Sequence, residues 1–255
     1  MPSLLPKLLR PLLLRRVIAT CQQLLAASLP NRCLMCHQTV AAPYRGICAC
    51  CLEISLYQTP TCLGCGRALL LQSCYCGACQ HSQPLVVIAP ASYHQGIGEL
   101  VAGIKYRAEL AALDMLVMAL VERIKQLQRL GLIRLPQAMI AVPLHPNRLR
   151  QRGFNQAWLI ADTLSRQLGI PMLDKVLVRR VDTRPQAGLT GKQRRRNLAD
   201  AFILTEPINY QRIALIDDVV TTGTTVQSIA ELFAAHYIHL QVWCLARAEA
   251  PGLLE

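Results

Sequence analysis

Apolar positions along the chain follow strand-like and helix-like spacings in turn, from about residue 84 to the last strand pattern. Short apolar runs bounded by turn residues predict buried strands, and longer amphipathic stretches predict helices. The predicted strands are residues 85–89, 137–142, 212–216 and 239–246, and the predicted helices are residues 110–130, 154–168 and 226–236. Strands alternating with helices indicate an α/β fold, a mainly parallel sheet flanked by helices.

The stretch 212–225 is the most informative of these segments, because its strand runs into Asp217 and Asp218 and then into a threonine- and glycine-rich loop. Open α/β sheets bind ligands at the carboxyl ends of their strands. The loop enters a predicted helix, whose first turn offers free N–H groups and the positive end of the helix dipole. Two adjacent acids beside four threonines exceed what capping requires. The stretch contains neither a P-loop nor a dinucleotide fingerprint, and it predicts a phosphate cradle.

The length and net charge of the chain limit the number of domains and the classes of ligand that we expect. A chain of 255 residues can hold one sizeable α/β domain and a small module. The net charge of +12 favours polyanionic ligands: pyrophosphate, nucleic acid or a lipid surface. Residues 1–30 are basic and leucine-rich, and we interpret them as a helix packing on the protein, with a membrane-surface or partner-binding helix as the alternative. No run reaches the roughly 18 apolar residues that span a bilayer. We therefore predict a cytoplasmic protein without a transmembrane segment. The alternative location is a peripheral one at the inner membrane.

Cysteines dominate residues 31–82, where they form four C-x-x-C pairs. Two such pairs make a tetrahedral zinc site, and four can close one or two structural sites in a reducing compartment. Each site could combine two consecutive C-x-x-C pairs, or the pairs of the two sites could be interleaved; both arrangements are open. Four further residues could serve as alternative ligands, but we interpret them as residues that do not bind the metal: Cys50, Cys74, His37 and His81. The predicted zinc ligands are Cys33, Cys36, Cys48, Cys51, Cys62, Cys65, Cys76 and Cys79.

Three further motifs complete the pattern: Gly-Ile-Lys-Tyr-Arg at 103–107, His-Pro-Asn-Arg-Leu-Arg-Gln-Arg-Gly-Phe-Asn-Gln at 145–156, and the polar stretch 179–197 with Thr-Arg-Pro-Gln-Ala-Gly-Leu at its centre. Together with the cysteines and the Asp-Asp-Val-Val-Thr-Thr-Gly-Thr-Thr motif, they resemble the ComF family of competence-associated phosphoribosyltransferase-like proteins. The resemblance covers nearly the whole chain, from Cys33 to about Arg247.

The resemblance implies a type I phosphoribosyltransferase-like sheet at residues 83–255, behind a small N-terminal zinc-binding module with four-cysteine sites at 31–82. By that resemblance Asp217 and Asp218 would bind the ribose hydroxyls of phosphoribosyl pyrophosphate. Its 5′-phosphate would lie against Thr221, Thr222, Gly223, Thr224 and Thr225. Transfer at ribose C1 expels magnesium pyrophosphate, and cationic side chains suit that leaving group. The candidates for this contact are Lys105, Arg148 and Arg152, and residues 184–196 have the composition of a mobile lid.

Three functional hypotheses follow, of which the third is the least favoured. The first is a magnesium-dependent phosphoribosyltransferase with an unidentified acceptor. The second is a non-catalytic module that senses phosphoribosyl pyrophosphate or binds single-stranded DNA, although an aromatic content of 5% weakens extensive base stacking. The third is an interaction protein built on its zinc module. The resemblance implies a role in DNA uptake or utilisation, with competence-machinery proteins as partners. No hood over the acceptor is evident, and we hypothesise that the zinc module takes its place.

Overall fold

The computed structural model describes residues 31–182 and 201–249. The predicted N-terminal segment 1–30, the lid prediction for 184–196 and the last residues of the chain lie outside the described residues. In chain order the elements are α1 (Ala49–Ser55), α2 (Gly77–Ser82), β1 (Val86–Ile88), β2 (Ala91–Ser92), α3 (Gly98–Arg107), α4 (Leu113–Arg129), β3 (Ala138–Ala141), α5 (Pro146–Arg152), α6 (Gln156–Leu168), β4 (Leu177–Arg179), β5 (Phe202–Leu204), β6 (Arg212–Val220), α7 (Thr224–Ala234) and β7 (His239–Arg247).

The main sheet is parallel throughout and has the order β1-β7-β6-β3, with β2 also pairing with β7. β4 and β5 form a separate antiparallel pair. β6 and β7 are the central strands, and their middle residues, 213–216 and 242–246, are all apolar and buried because helices or the β4–β5 pair cover both faces. The predicted α/β fold with a mainly parallel sheet flanked by helices is confirmed.

Two hydrophobic clusters cover the two faces of this sheet. Ala214 and Ile216 of β6 pack in one cluster with α3, α4 and α6, whereas Ile213 and Leu215 pack in the other with α7 and the β4–β5 pair. This division follows from the period of two in a strand. α4 shows the matching helical pattern, since its buried side chains recur three and four residues apart. The structure describes no helix that is both long and apolar enough to cross a bilayer.

Several predicted boundaries need correction; the helices predicted at 154–168 and 226–236, for example, are α6 at 156–168 and α7 at 224–234. β6 continues four residues past its predicted end at 216, because pairing with β7 persists from Asp217 opposite Cys244 to Val220 opposite Arg247. The aspartates therefore lie within the strand and not beyond it. Arg179, predicted to begin a loop, ends β4 instead. The helix predicted at 110–130 starts as a 3-10 turn, Leu110–Ala112, before α4.

The cysteine-rich residues form two similar units. In each unit a knuckle is closed by an antiparallel bridge, Arg32 with Thr39 in the first and Thr61 with Ala68 in the second. A short helix then begins directly after a cysteine, α1 after Cys48 and α2 after Cys76. Each helix carries the second cysteine of its pair in its first turn.

Both units pack directly on the α/β layers. Gly46 of the first unit lies so close to the turn before α4 that a Cβ at this position would collide with the backbone of Ala111. In the second unit, the carbonyl of Leu63 accepts a hydrogen bond from the N–H of Val87 in β1 at 2.9 Å. Ile47 and Leu63 are buried in the same cluster as the sheet residues. The cysteine units are therefore held in place by side-chain packing as well as by their own turns.

Candidate functional site

Asp217 and Asp218 lie in the last part of β6, at the carboxyl edge of the sheet. Asp218 follows Ala214 and Ile216 on the face that α3 covers, is only 6% exposed, and has its Oδ2 3.5 Å from Lys105 Nζ. Its Oδ1 accepts a hydrogen bond from the N–H of Val219 at 2.9 Å. Among the described residues, however, Oδ2 has no hydrogen-bond donor. A buried carboxylate oxygen without a donor costs free energy, and a ligand hydroxyl would satisfy it.

The environment of Asp217 strongly perturbs its titration. Burial and the adjacent charge of Asp218 raise the pKa of Asp217 from an ordinary 3.8 to about 8, against the opposing effects of the Asp218 N–H and Lys105. Two neighbouring carboxylates at the edge of a sheet thus share one site in which simultaneous ionisation is unfavourable. Unfavourable electrostatic interactions of this kind between titratable groups are common at ligand-binding sites.

The raised pKa of Asp217 predicts a measurable stabilisation on substitution. Below about pH 4 this carboxyl is protonated in both folded and unfolded chains, and above about pH 8 it is ionised in both, so its cost to folding grows as the pH rises between those values. Asparagine does not titrate and avoids that cost. We expect Asp217→Asn to increase the free energy of unfolding at pH 8 by about 2 kcal/mol, and by less at pH 5.

Thermal unfolding at the two pH values measures this difference. Glu206→Gln is the control, because Glu206 is exposed and lies before β6, so its substitution should leave the pH dependence of unfolding unchanged. A stabilisation by Asp217→Asn that is equal at pH 5 and pH 8 would contradict the electrostatic explanation.

The loop between β6 and α7 is the segment that the sequence predicts as a phosphate cradle. Gly223 has φ 72°, a left-handed conformation that glycine adopts without strain, and it forms the N-cap of α7. Since glycine has no side chain, the first-turn N–H groups of α7 receive no side-chain cap. Thr221 and Thr222 are exposed, and the hydroxyls of Thr222 and Thr224 lie 2.8 Å apart. Thr225 follows in the first turn. Amides, hydroxyls and the helix dipole thus converge where an anion can bind.

The structure separates the three predicted cationic residues. Lys105, at the end of α3, faces Asp218. Arg152 instead donates from Nη1 to Gln156 Oε1 at 2.8 Å and lies 5.8 Å from the centroid of the Tyr106 ring. Gln156 in turn donates to the carbonyl of Lys105 at 3.3 Å. Arg152 therefore supports the end of α3 and holds Lys105 in place through Gln156.

Arg148 lies in a different cluster, around Asp182. Its Nε is 3.9 Å from Asp182 Oδ1, while Asn147 Nδ2 donates to Asp182 Oδ2 at 3.0 Å and His145 Nδ1 is 3.5 Å from the same oxygen. Arg179 approaches from β4 and is 9% exposed. Sequence reasoning placed Arg179 in a loop and gave it no role. The apolar run Val176-Leu177-Val178 before it was the signal for a strand.

The second cysteine unit borders the Thr/Gly loop. Arg247, at the end of β7, donates to the carbonyl of Leu63 at 3.2 Å and to that of Gly64, the two residues between Cys62 and Cys65. A pocket of about 280 Å³ lies between this knuckle, the loop and α7. Its walls are Gly64 and Pro84 on one side and the segment 220–224 on the other. The cysteine unit is thus close enough to the predicted phosphate cradle to shape what binds beside it.

Two groups of four cysteines bring their sulfurs together. They are Cys33, Cys36, Cys48 and Cys51 in one group and Cys62, Cys65, Cys76 and Cys79 in the other, so the pairs associate consecutively and not interleaved. Within each group all sulfurs lie within 4.8 Å of one another, with Cys36–Cys48 at 3.8 Å and Cys65–Cys76 at 3.7 Å. A tetrahedron with Zn–S bonds of about 2.3 Å has edges of about 3.8 Å. Cys50, Cys74, His37 and His81 stand outside both groups.

The thiols themselves fit a bound divalent cation. The N–H of Cys79 lowers the pKa of Cys76 to about 7, whereas burial raises the pKa of Cys79. Sulfurs this close cannot all ionise without a compensating positive charge. Zinc would supply that charge and join the two turns of each unit, a structural contribution with no open coordination position.

Sequence comparison identifies the family. Competence protein F of Haemophilus influenzae is 35% identical over 225 residues, which are 85% of this chain and 97% of that protein. The chain belongs to the ComF family. Two proteins named DNA utilization protein YhgH are also similar to this ComF-family chain, the Salmonella typhimurium protein at 32% identity and the Escherichia coli K12 protein at 30%, each covering 86% of this chain and 98% of its own length.

Comparison with solved structures finds weaker similarity for this ComF-family chain. A purine phosphoribosyltransferase from Pyrococcus horikoshii aligns with 53% of this chain and 72% of its own, at a TM-score of 0.33 and 21% identity. An adenine phosphoribosyltransferase from Leishmania tarentolae aligns with 55% of this chain and 72% of its own, at a TM-score of 0.31 and 15% identity. No protein-family model matches the chain.

Proposed function

We propose that this ComF-family chain binds magnesium phosphoribosyl pyrophosphate at the carboxyl edge of its sheet and is a phosphoribosyltransferase. The observation that carries this proposal is the buried Asp218 oxygen without a hydrogen-bond donor, 3.5 Å from Lys105 and a few residues before the Thr/Gly loop. Carboxylate, ammonium and amide-lined loop are the groups that ribose hydroxyls, a diphosphate and a terminal phosphate require.

Each part of the ligand then has a partner. The ribose 2′- and 3′-hydroxyls donate to Asp217 and Asp218, and the 5′-phosphate accepts from the amides and hydroxyls of Thr221–Thr225. The diphosphate at C1 contacts Lys105, whose position depends on Gln156 and Arg152. During transfer the bond from C1 to the diphosphate oxygen breaks, and the magnesium pyrophosphate leaves with the electron pair. The acceptor forms the new bond at C1 with its own electron pair, and its proton passes to the released pyrophosphate.

The position of the second cysteine unit supports the hypothesis that this unit shapes the part of the site where the acceptor binds. Gly64 and Pro84 face the loop segment 220–224 across the 280 Å³ pocket, and Arg247 fixes the knuckle to the end of β7. Zinc in the group formed by Cys62, Cys65, Cys76 and Cys79 would hold this knuckle rigid. The acceptor would then enter between the knuckle and the ribose, on the side away from Lys105.

Lys105→Met tests the leaving-group contact. We expect the dissociation constant for magnesium phosphoribosyl pyrophosphate to rise by about tenfold or more, because a charge-assisted contact is lost and Asp218 loses its cation. Lys125→Met is the matched control, since Lys125 lies on α4 and pairs with the exposed Glu122 on its own helix. Isothermal titration of both variants gives the comparison. Equal affinities in Lys105→Met and Lys125→Met would contradict a diphosphate contact at Lys105.

We infer a biological role in DNA uptake or utilisation, supported by the printed names of the relatives, with competence-machinery proteins as partners. A second function, single-stranded DNA binding or ligand sensing without turnover, is supported by the net charge of +12. We also propose that the chain attaches peripherally to the inner membrane, where it would receive incoming DNA.

A further inference from the structure

The aromatic ring of Tyr106 is exposed at the end of α3, beside the proposed site. Tyr106 is 74% exposed, although it directly follows Lys105, whose Nζ lies 3.5 Å from Oδ2 of the buried Asp218. A side chain that remains in water to this extent contributes little apolar burial to folding. The ring is therefore accessible to a ligand next to the residues that the proposed function uses.

Contacts on one side hold this ring in place. The guanidinium carbon of Arg152 lies over the Tyr106 ring, 5.8 Å from its centroid, which is a cation–π distance. Arg152 is fixed in turn, because its Nη1 donates to Oε1 of the buried Gln156 at 2.8 Å. Gln156 Nε2 donates to the carbonyl of Lys105, the residue before Tyr106, at 3.3 Å. The ring thus has a positioned cation on one side, while most of its surface faces solvent.

The turn after α3 is also well defined. Arg107 donates to both carboxylate oxygens of Glu109, at 2.7 and 3.0 Å, and Ala108 between them has a left-handed φ of 53°. A Cβ at Gly103 would collide with Glu109 Oε2, so glycine at this position lets the carboxylate approach α3. A ring on a fixed helix end loses less conformational entropy when a ligand stacks on it.

Helix α5 supplies positive charge to the same part of the molecule. Arg150 Nη2 donates to Asn147 Oδ1 at 2.6 Å, and Arg152 donates to Gln156, so both arginines have neutral amide partners. Within residues 31–182 and 201–249, neither arginine forms an ion pair with a carboxylate. An exposed aromatic ring beside cations that no carboxylate neutralises is typical of single-stranded nucleic-acid sites.

We propose that Tyr106 is a stacking platform for a nucleobase, a binding residue in addition to the carboxylates and the Thr/Gly loop. The base stacks on the solvent-facing side of the ring, away from Arg152. One platform suits a single base, in keeping with an aromatic content of 5%.

This inference rests on the proposed function and deepens its second form, the binding of single-stranded DNA. The same planar chemistry has a second source, a free nucleobase that serves as the acceptor. The arginines of α5 favour DNA, because a free base carries no phosphate. The two sources are separated by the probes of the experiment.

Two oligomers distinguish base binding from backbone binding: an oligothymidylate and an abasic deoxyribose phosphate oligomer of the same length. Fluorescence anisotropy at one salt concentration, with the zinc-loaded full chain, measures both affinities. We expect wild type to bind the oligothymidylate about tenfold more tightly than the abasic oligomer, since stacking is worth that much for one base. Tyr106→Leu should lose this preference and keep its affinity for the abasic oligomer. Equal affinities of wild type for the two oligomers would exclude DNA as the source of the base.

Further substitutions test whether the ring itself carries the preference. Tyr106→Phe removes the hydroxyl and keeps the ring, so it should behave as wild type; a loss equal to that of Tyr106→Leu would overturn stacking. Tyr106→Trp enlarges the ring and should increase the preference, and a decrease would contradict the proposal. Tyr237→Leu is the matched control, because Tyr237 is 91% exposed and lies before β7, at the opposite edge of the sheet. An equal loss in this control would also overturn the platform.

Titration with adenine, in the presence of magnesium phosphoribosyl pyrophosphate, tests the second source. Binding of adenine that is lost in Tyr106→Leu assigns the base to an acceptor and contradicts entry of the acceptor beside the cysteine knuckle. The absence of any Tyr106-dependent binding, both with adenine and with the oligomers, overturns the platform.

Titration with magnesium phosphoribosyl pyrophosphate alone separates failure of the platform from failure of the proposed function. Tyr106→Leu should bind this ligand as tightly as wild type, because Lys105 and Asp218 are unchanged. If wild type does not bind it but prefers the oligothymidylate through Tyr106, the platform stands and the phosphoribosyltransferase proposal fails. If wild type binds it and the preference for bases does not depend on Tyr106, the platform alone fails.

Discussion

Replacement of both Asp217 and Asp218 by asparagine is expected to weaken binding of magnesium phosphoribosyl pyrophosphate by about 100-fold or more. Hydrogen bonds to charged groups contribute about 1.5–3 kcal/mol each, so the loss of two is large. Asparagine keeps the shape of each side chain but halves its acceptors and introduces a donor. Titration at pH 8, where Asp217 is half ionised or more in the wild type, measures the loss.

Three outcomes of this substitution can be separated. Loss of folding is not expected, because Asp217→Asn removes an electrostatic cost, so unfolding temperature is the internal control. Binding of an oligothymidylate should persist or tighten, since two negative charges leave a basic protein. If the double variant binds phosphoribosyl pyrophosphate as tightly as wild type, the assignment of these carboxylates to the ribose is wrong. If it loses only DNA binding, the site serves nucleic acid.

Removal of a single cysteine ligand is expected to have the largest effect on stability. Cys62→Ser should leave the group formed by Cys62, Cys65, Cys76 and Cys79 unable to hold zinc and should unfold the second unit, because structural zinc contributes about 10 kcal/mol or more to small modules. Leu63 and Gly64 would no longer hold Arg247, and the wall of the 280 Å³ pocket would be lost. We expect the unfolding temperature to fall by about 10 °C or more.

Cys50→Ser is the matched control for Cys62→Ser. Cys50 is exposed on α1 and stands outside both four-cysteine groups, so its substitution should retain two zinc ions and the wild-type unfolding temperature. Metal release on thiol modification, read with a colorimetric zinc indicator, counts the ions in each variant. Cys33→Ser should likewise lose one ion. An equal loss of zinc from Cys50→Ser would mean that the ligand sets differ from the consecutive groups.

The strand–loop–helix unit from β6 to α7 could be predicted because its chemistry is local. An apolar run, two acids, a Thr/Gly loop and an amphipathic helix follow one another within residues 212–234. The end of β6 was misplaced, since the extra pairing from Asp217 to Val220 depends on β7 beside it. The helix predicted at 226–236 is α7, Thr224–Ala234. The four C-x-x-C pairs likewise indicate metal sites, but the consecutive grouping follows from how the two units fold.

Contacts between distant segments were beyond sequence reasoning. Lys105 meets Asp218 because α3 packs across one face of the sheet, and nothing local in residues 103–107 specifies that partner. Arg148 and Arg152 lie one helical turn apart on the same side of α5, yet they contact different partners, Asp182 and Gln156. The contact with Asp182 joins segments that are distant in the sequence. The burial of Arg179 depends on Phe202, on the partner strand of the β4–β5 pair.

Titration of zinc-loaded wild-type protein with magnesium phosphoribosyl pyrophosphate at pH 8 tests the central claim most directly. The proposed site predicts saturable binding in the micromolar range, with one ligand per chain, and an affinity that falls in Lys105→Met. Absence of binding by a folded chain with both four-cysteine groups loaded would contradict the claim. Single-stranded DNA would then become the leading ligand of this edge of the sheet.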